Sequence, residues 1–303
     1  LKYVICGGTG FIGSELAKYW LQAGNEVAIV GRNLPKDATT IHPKLSYHTW
    51  DSLSSNPAPA ENAAALINLA GASLSQRWSP SGKKAIMQSR LATVSAAAKL
   101  VDQMKQKPSV IIQASAVAIY GTSLEDTFSE SSPAQVMDFP SEVVKTWEEA
   151  SDETYHGIRV VKLRTGVVLG NESGAFPKMK LPYLLGFGGN IGSGKQWLSW
   201  IHLTDIVRLI DFCTQNPTIN GPVNATAPHP VTNEEFGRTI GTVYKRPHWF
   251  PLPAFLLKTA VGELSEILLK GQRVLPAAAL NHGFDFTFPT LQAALEDLKK
   301  QKL

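Results

Sequence analysis

The stretch Cys6-Gly7-Gly8-Thr9-Gly10-Phe11-Ile12-Gly13 decides the fold. The apolar run Tyr3-Val4-Ile5-Cys6 leads into it and reads as a buried strand. Ser14-Glu15-Leu16-Ala17-Lys18-Tyr19-Trp20-Leu21 follows and reads as a helix with Leu16, Trp20 and Leu21 inward. The glycines have the spacing G-x-x-G-x-x-G. Gly7 permits a tight turn, Gly10 lets the backbone approach a pyrophosphate, and Gly13 lets the helix lie close on the sheet. The first helical turn offers unpaired N–H groups and a partial positive charge to phosphates. Three glycines alone also fit an ordinary turn; the strand before and the helix after point to a dinucleotide. Gly7, Thr9, Gly10, Phe11, Ile12 and Gly13 are therefore the expected cofactor contacts.

Outward from this stretch, strands alternate with helices. Strands are expected at Glu26–Val30, Leu45–Asp51, Ala65–Ala70, Ser109–Ala114 and Ile158–Arg164. Long helices are expected from Gly82 to about Lys105 and from Val143 to about Thr154. Residues 54–63 read as a loop or short helix. The alternation implies an α/β fold: a Rossmann-type doubly wound parallel sheet with ligands at the strand C-terminal ends. After Gly166 the character changes. Residues 170–200 are dense in glycine without a clean period and read as a long structured loop. A helix over Asp205–Thr214 and a strand over Pro222–Ala225 return to the sheet, and proline-punctuated short helices follow Pro228. The expected division is a nucleotide-binding domain over 1–169, rejoined by 201–227. A smaller, mostly helical substrate lid then comes from 170–200 and 228–303.

The totals narrow the function classes. The chain has 303 residues, enough for one large or two closely joined domains. Its formal charge is +4, from 29 basic and 25 acidic residues, with no dense basic block, so nucleic acid is not indicated. No apolar run reaches the ~18–20 residues of a membrane span, and no membrane partner is expected. Strand one begins almost at once, so no leader is expected. Cys6 and Cys213 have no metal-ligand spacing, so no metal is expected and a reducing cytoplasm fits. The expected partner is a small-molecule substrate, and the expected state a monomer or homodimer.

The cofactor can be narrowed. NAD sites usually carry an acid about 20 positions beyond the glycines to bind the ribose 2′-hydroxyl. Here the second strand ends Val30-Gly31-Arg32-Asn33. A guanidinium at Arg32 suits the 2′-phosphate of NADP, although a solvated loop charge is the plain alternative. Asp51 is a candidate for the adenine amino group, and Ala70-Gly71 is a small-residue turn over which the cofactor could pass.

Three segments together carry a resemblance: Gly7–Gly13, Ala114-Ser115-Ala116-Val117-Ala118-Ile119-Tyr120-Gly121, and Leu163-Arg164-Thr165-Gly166-Val167-Val168-Leu169-Gly170. They are similar to the extended short-chain dehydrogenase/reductases. Asn68–Gly71, Gln76-Arg77-Trp78, Ser89-Arg90, Gly192–Trp197, Ser199–His202 and Gly271–Pro276 narrow it. With them, the chain resembles the bacterial epimerase family proteins of the YfcH type over essentially its whole length. The resemblance implies the fold, NADP(H) binding and a nucleoside-diphosphate-sugar epimerase label, with oxidoreductase or isomerase chemistry.

It also exposes a departure. Most short-chain dehydrogenases use a Ser with a Tyr-x-x-x-Lys pair, the Tyr as acid/base and the Lys lowering its pKa. Ser115 lies in a plausible place. Where the pair belongs, the chain reads Asp138-Phe139-Pro140-Ser141-Glu142-Val143-Val144-Lys145, without tyrosine. Ser115, Tyr120 and Lys145 are the catalytic candidates, with Ser141 and His202 as further groups to test. A non-catalytic NADP(H)-binding sensor or regulatory protein is the competing expectation. On the substrate side, Arg77, Trp78, Gln196, Trp197, Trp200 and His202 combine aromatic faces with polar groups suited to a sugar or planar ligand. A purely structural use of the tryptophans fits equally well.

Overall fold

The structure is a computed structural model. It describes residues 1–34, 42–72 and 78–301, the side chains of Ala260, Val261 and Leu264 excepted. Seven strands form the central sheet: β1 (Lys2–Cys6), β2 (Glu26–Gly31), β3 (Leu45–Thr49), β4 (Ala65–Asn68), β5 (Val110–Ala116), β6 (Arg159–Thr165) and β7 (Gly221–Ala225). Their spatial order is β3-β2-β1-β4-β5-β6-β7, and every pair is parallel. The order reverses at β1, so β1 and β4 flank the crevice where such sheets bind ligands.

Helices cover both faces, which is why β1, β2 and β4 read as near-continuous apolar runs. Helices α1 (Phe11–Gln22), α2 (Trp50–Ser55), α3 (Pro80–Gln103) and α4 (Phe139–Thr154) belong to the first half. Then come α5 (Phe176–Leu184), α6 (Leu203–Gln215), α7 (Asn233–Tyr244), α8 (Ala254–Val261), α9 (Glu266–Leu269), α10 (Ala277–Asn281) and α11 (Leu291–Lys300). Within β1, Tyr3 and Ile5 enter the core shared with α1 and α6, while Val4 and Cys6 enter the core shared with α3 and α4. Tyr3 stacks on Trp20 with ring centroids 3.8 Å apart.

A separate core lies beyond the sheet. Phe176 and Tyr183 of α5, Phe236 and Ile240 of α7, and Leu291, Leu295 and Leu298 of α11 close around Trp200. Asp205, fully buried in the first turn of α6, ties this end to the sheet. Its carboxylate accepts from the N–H groups of Thr287 and Phe288 at 2.9 and 2.8 Å and from Arg208 at 3.2 Å.

Two expectations change. The third strand stops at Thr49, because Thr49 and Ser52 form a capping box that starts α2. The stretch 170–200 is not a continuous loop. It contains α5, whose Phe176, Lys180 and Tyr183 point inward at helical spacing. Flanking glycines and Pro182, two residues before the helix ends, conceal that period in the sequence.

Candidate dinucleotide cleft and substrate side

The glycine loop has the form its spacing predicts. Gly7 has φ +79°, the left-handed region that favours glycine, and a Cβ there would lie 2.9 Å from the Ala70 nitrogen. A Cβ on Gly13 would come within 2.5 Å of the Gly7 carbonyl oxygen. Gly7 N–H donates to the Val30 carbonyl at 2.8 Å, fastening the turn to the end of β2. Gly10 caps α1 with no side-chain bond, and no acidic residue stands in the helix's first turn. The N-terminus of α1 is thus left to a ligand.

Around it lie the other expected contacts. Arg32 is exposed in the bend that follows β2, two residues past Val30. Asp51 is exposed and sits in the first turn of α2 and not at the end of β3, because the capping box ends the strand at Thr49. Ala70 and Gly71 form the turn after β4, and their shape is held from α3. Thr93 Oγ1 donates to the Ala70 carbonyl at 3.2 Å, and Arg90 donates to the Ala72 carbonyl at 3.2 Å. Arg90 is buried over the Trp147 ring at 5.0 Å, and burial pushes its pKa down to about 10. Ser89 Oγ accepts from the Ala72 N–H at 3.0 Å, and neither Ser89 nor Thr93 is marked in the sequence as serving this turn, since nothing at i, i+4 shows that a helix residue holds a neighbouring loop.

Of the catalytic candidates, Ser115 and Tyr120 are buried and hydrogen-bonded inside the fold. Ser115 is buried and donates to Glu148 Oε1 of α4 at 2.5 Å. Glu148 in turn takes the Arg164 fork, Nε to Oε1 and Nη2 to Oε2, both at 2.8 Å. Arg164 Nη1 donates to the Tyr120 hydroxyl at 2.8 Å, and that hydroxyl donates to Asn224 Oδ1 at 2.7 Å. Tyr120 is fully buried, stacked on Phe128. Burial pushes its pKa up, against the pull of Arg164, the opposite of what a general base requires. Burial alone would also raise Glu148, but the Arg164 fork, Ser115 and Lys162 hold it below the usual carboxylate range. Ser115 and Tyr120 therefore belong to a buried network joining β5, β6, β7 and α4. Arg164, whose side chain is buried at the end of β6, is the centre of that network.

The first turn of α4 is equally committed. Ser141 takes the tyrosine's expected place but completes a capping box. Its hydroxyl donates to Asp138 Oδ1 at 2.7 Å, and its N–H donates to the same oxygen at 3.0 Å. Asp138→Ala should lower stability by ~1 kcal/mol, read by denaturant melting; an unchanged midpoint would remove the cap from the account. Lys145 is half-buried and forms an i,i+4 ion pair with Glu149.

The substrate-side group also divides. Trp200 is fully buried, its indole N–H donating to the His229 carbonyl at 3.1 Å, so it is core and not a ligand surface. Gln196 is buried, its amide donating to the carbonyls of Ile191 and Leu268 at 2.9 Å each, which ties this segment to α9. Trp197 is half-buried under Arg273, 4.8 Å from its ring, with its N–H on the Leu124 carbonyl. Trp78 is buried edge-on to Phe139 at 5.3 Å. His202 caps α6, its Nδ1 accepting from Thr204 N–H at 3.1 Å. Nε2 then holds the proton of the neutral ring, 3.3 Å from Asp297 Oδ2 though out of line for a hydrogen bond. Burial lowers the His202 pKa, Asp297 and Asp205 opposing it. Arg77 lies outside the described residues.

Two hollows adjoin these elements. A groove of about 770 Å³ runs beside α1 past Thr9, Phe11, Lys18, Asn171 and His202, and takes no lining residue from the ends of β2, β4 or β5. A cleft of about 90 Å³ lies over the segment after β5, lined by Thr122, Asp138, Glu266, Lys270 and Gln272 among others. The second opens between the β5–α4 segment and the C-terminal helices. Lys270 and Glu266 form an ion pair at 3.4 Å there.

A doubly wound sheet with a glycine cradle at its switch point defines a dinucleotide-binding α/β protein. The model of the NAD dependent epimerase/dehydratase family matches residues 3–225, and a domain of unknown function (DUF1731) matches residues 252–298. The chain belongs to that epimerase/dehydratase family. It is 43% identical over 302 residues to "Epimerase family protein YfhF" of Bacillus subtilis, covering 98% of each chain. Among solved structures it is similar to human epimerase family protein SDR39U1 with NADPH: 34% identity, TM-score 0.90, 99% of each chain. It is also similar to a nucleoside-diphosphate sugar epimerase from Corynebacterium glutamicum. There the identity is 30% and the TM-score 0.78, over 98% of this chain and 58% of that one.

Proposed function

We propose that this protein binds NADP(H) along the edge of β2, β1 and β4 and acts on a small substrate in an epimerase-like or reductase-like way. The carrying observation is the cradle at Gly7 and Gly13, which any Cβ would fill, with Arg32 exposed at the end of β2. The human relative's NADPH supports the same cofactor. NADP(H) supplies or accepts a hydride at its nicotinamide. The N–H groups of Phe11 and Ile12 hold the pyrophosphate, and the Arg32 guanidinium pairs with the 2′-phosphate. Ala70 and Gly71 give the chain of the cofactor a low wall to cross.

Residues 170–200 and 228–303 cover the substrate in this reading. With Ser115, Tyr120 and Ser141 already bonded elsewhere, the proton on the reacting oxygen is handled by groups of the small cleft, with Lys270 and Glu266 foremost. A sugar nucleotide is the substrate class that the Corynebacterium relative's name supports. The setting is cytoplasmic, in keeping with two buried, unpaired cysteines, and the state a monomer or homodimer.

One observation favours a second reading. The same commitment of Ser115, Tyr120 and Ser141 to structural bonds suits a non-catalytic NADP(H)-binding sensor. Purified protein should carry or bind NADPH. Incubation with carbonyls, alcohols and nucleotide sugars, read by nicotinamide absorbance and by chromatography for epimers, separates the two readings. Tight NADPH without any product selects the sensor. Arg32→Asp should cut the preference for NADPH over NADH by roughly 10-fold or more; an unchanged preference removes Arg32 from the 2′-phosphate site.

A further inference from the structure

No helix among the described residues is long and apolar enough to cross a membrane. Lying on a membrane surface is a different matter. Two segments of the C-terminal half place large apolar side chains in water. Helix α5 buries Phe176, Lys180 and Tyr183 on one face, but its opposite face shows Leu181 and Leu185 where polar residues are the rule. Leu185 is 63% exposed, Phe187 60%, Trp249 67% and Phe255 67%. The two segments are one surface. Phe187 and Phe250 meet with centroids 6.0 Å apart, Trp249 and Phe250 at 6.2 Å. The Trp249 indole N–H donates to the Gly186 carbonyl at 2.9 Å, and Gly188 receives the N–H groups of Trp249 and Phe250. These contacts order the patch; they do not cover it.

Its charge is one-sided. No Asp or Glu occurs within residues 174–200 or 236–262, in a chain with 25 acids; Glu234, which acts on His248, and Glu263, which follows α8, are the acids at its border. The exposed cations Lys178, Lys245, Arg246 and Lys258 stand in or beside the patch, in the run Lys245-Arg246-Pro247-His248-Trp249-Phe250-Pro251-Leu252-Pro253-Ala254-Phe255-Leu256-Leu257-Lys258. Isolated exposed leucines need no explanation, but a contiguous aromatic patch marks a contact surface. A second copy of this chain packed here about a two-fold axis would bring like cations together. Tryptophan and phenylalanine tips flanked by lysine and arginine instead match the interface of an anionic bilayer, where aromatic rings sit at headgroup depth and cations meet lipid phosphates.

We infer that the surface formed by the end of α5, residues 245–250 and α8 docks on an anionic lipid bilayer. The aromatic and leucine side chains enter the interface, and Lys178, Lys245, Arg246 and Lys258 meet the headgroups. Helix α8 leads through residues 262–265 to α9, which lines the small cleft, so docking brings that cleft close to the bilayer.

Co-sedimentation of the full chain with phosphatidylcholine vesicles, with and without phosphatidylserine, tests this. The expected result is sedimentation with phosphatidylserine vesicles only, reversed by added salt. Lys245→Glu with Arg246→Glu should weaken binding by roughly 25-fold, about five-fold per base. Leu185→Ser with Phe255→Ser should abolish it while melting temperature and NADPH binding stay unchanged, since neither side chain is buried. Absence of sedimentation with anionic vesicles overturns the inference, as does equal binding to neutral vesicles. So does a homodimer in light scattering that Phe255→Ser dissolves, which would assign the patch to a second copy.

Discussion

An Arg164→Met variant should lose ~3–5 kcal/mol of stability at neutral pH, the cost of leaving one member of a buried ion pair without its partner. Glu148 would keep the Ser115 hydroxyl and Lys162, whose Nζ is 3.8 Å away, but would lose both 2.8 Å bonds of the fork. The Tyr120 hydroxyl would lose its donor as well. The pH dependence has a definite sign. In the native protein Glu148 is held below the usual carboxylate range, so its contribution is present above the unfolded pKa and fades as pH falls through the folded one. In the variant burial dominates and the carboxyl shifts upward, so its ionised form is the penalised one. The stability gap between the two proteins should therefore be widest near neutrality and shrink in acid. Denaturant melts at neutral pH and near about pH 4 measure it; a gap independent of pH would show that Glu148 is not the group responsible.

Gly13→Ala should reduce NADPH affinity at least ~10-fold and cost ~1–3 kcal/mol of stability. Elsewhere within a helix, glycine to alanine gains up to ~1 kcal/mol, so the sign alone is informative. Here the new methyl would lie 2.5 Å from the Gly7 carbonyl oxygen and 2.7 Å from the Gly8 Cα. Both are backbone atoms, with no side chain able to swing aside. The turn would have to open, moving the first-turn N–H groups of α1 away from the pyrophosphate. Calorimetric titration with NADPH beside a thermal melt reads both effects. Full affinity with a stability gain would mean that α1 does not pack on the turn as described.

Much of the fold could be read locally. The alternation of apolar runs with helical periods anticipates β1, β2, β4, β5 and β6, because a doubly covered parallel strand is apolar on both faces. The glycine loop was legible for the same reason: close approach of backbone to backbone leaves room for one residue type. The end of β3 was misplaced because a Thr49–Ser52 capping box competes with extension by hydrogen bonds that side chains alone do not advertise. Helix α5 was hidden because flanking glycines and Pro182 interrupt its period, and exposed Leu181 and Leu184 blur the contrast on which periodicity depends.

The roles of single polar residues were a different problem. Trp200 and Trp197 are alike in sequence, yet one is in the core of α5, α7 and α11 and the other lies half-buried under Arg273. Ser115 and Tyr120 lie on a plausible catalytic stretch, but their partners Glu148, Arg164 and Asn224 come from three other elements.

By itself, then, the sequence determined the sheet, the nucleotide turn at Gly7–Gly13 and the missing tyrosine ahead of Lys145, since each depends on residues adjacent along the chain. The tertiary structure alone decided that Ser115, Tyr120 and Ser141 are already bonded, and that the exposed rings of Phe187, Trp249 and Phe250 meet on one surface. Hydrogen-bond partners and shared surfaces are set by distances across the fold, between residues as far apart as 115 and 148 or 187 and 250.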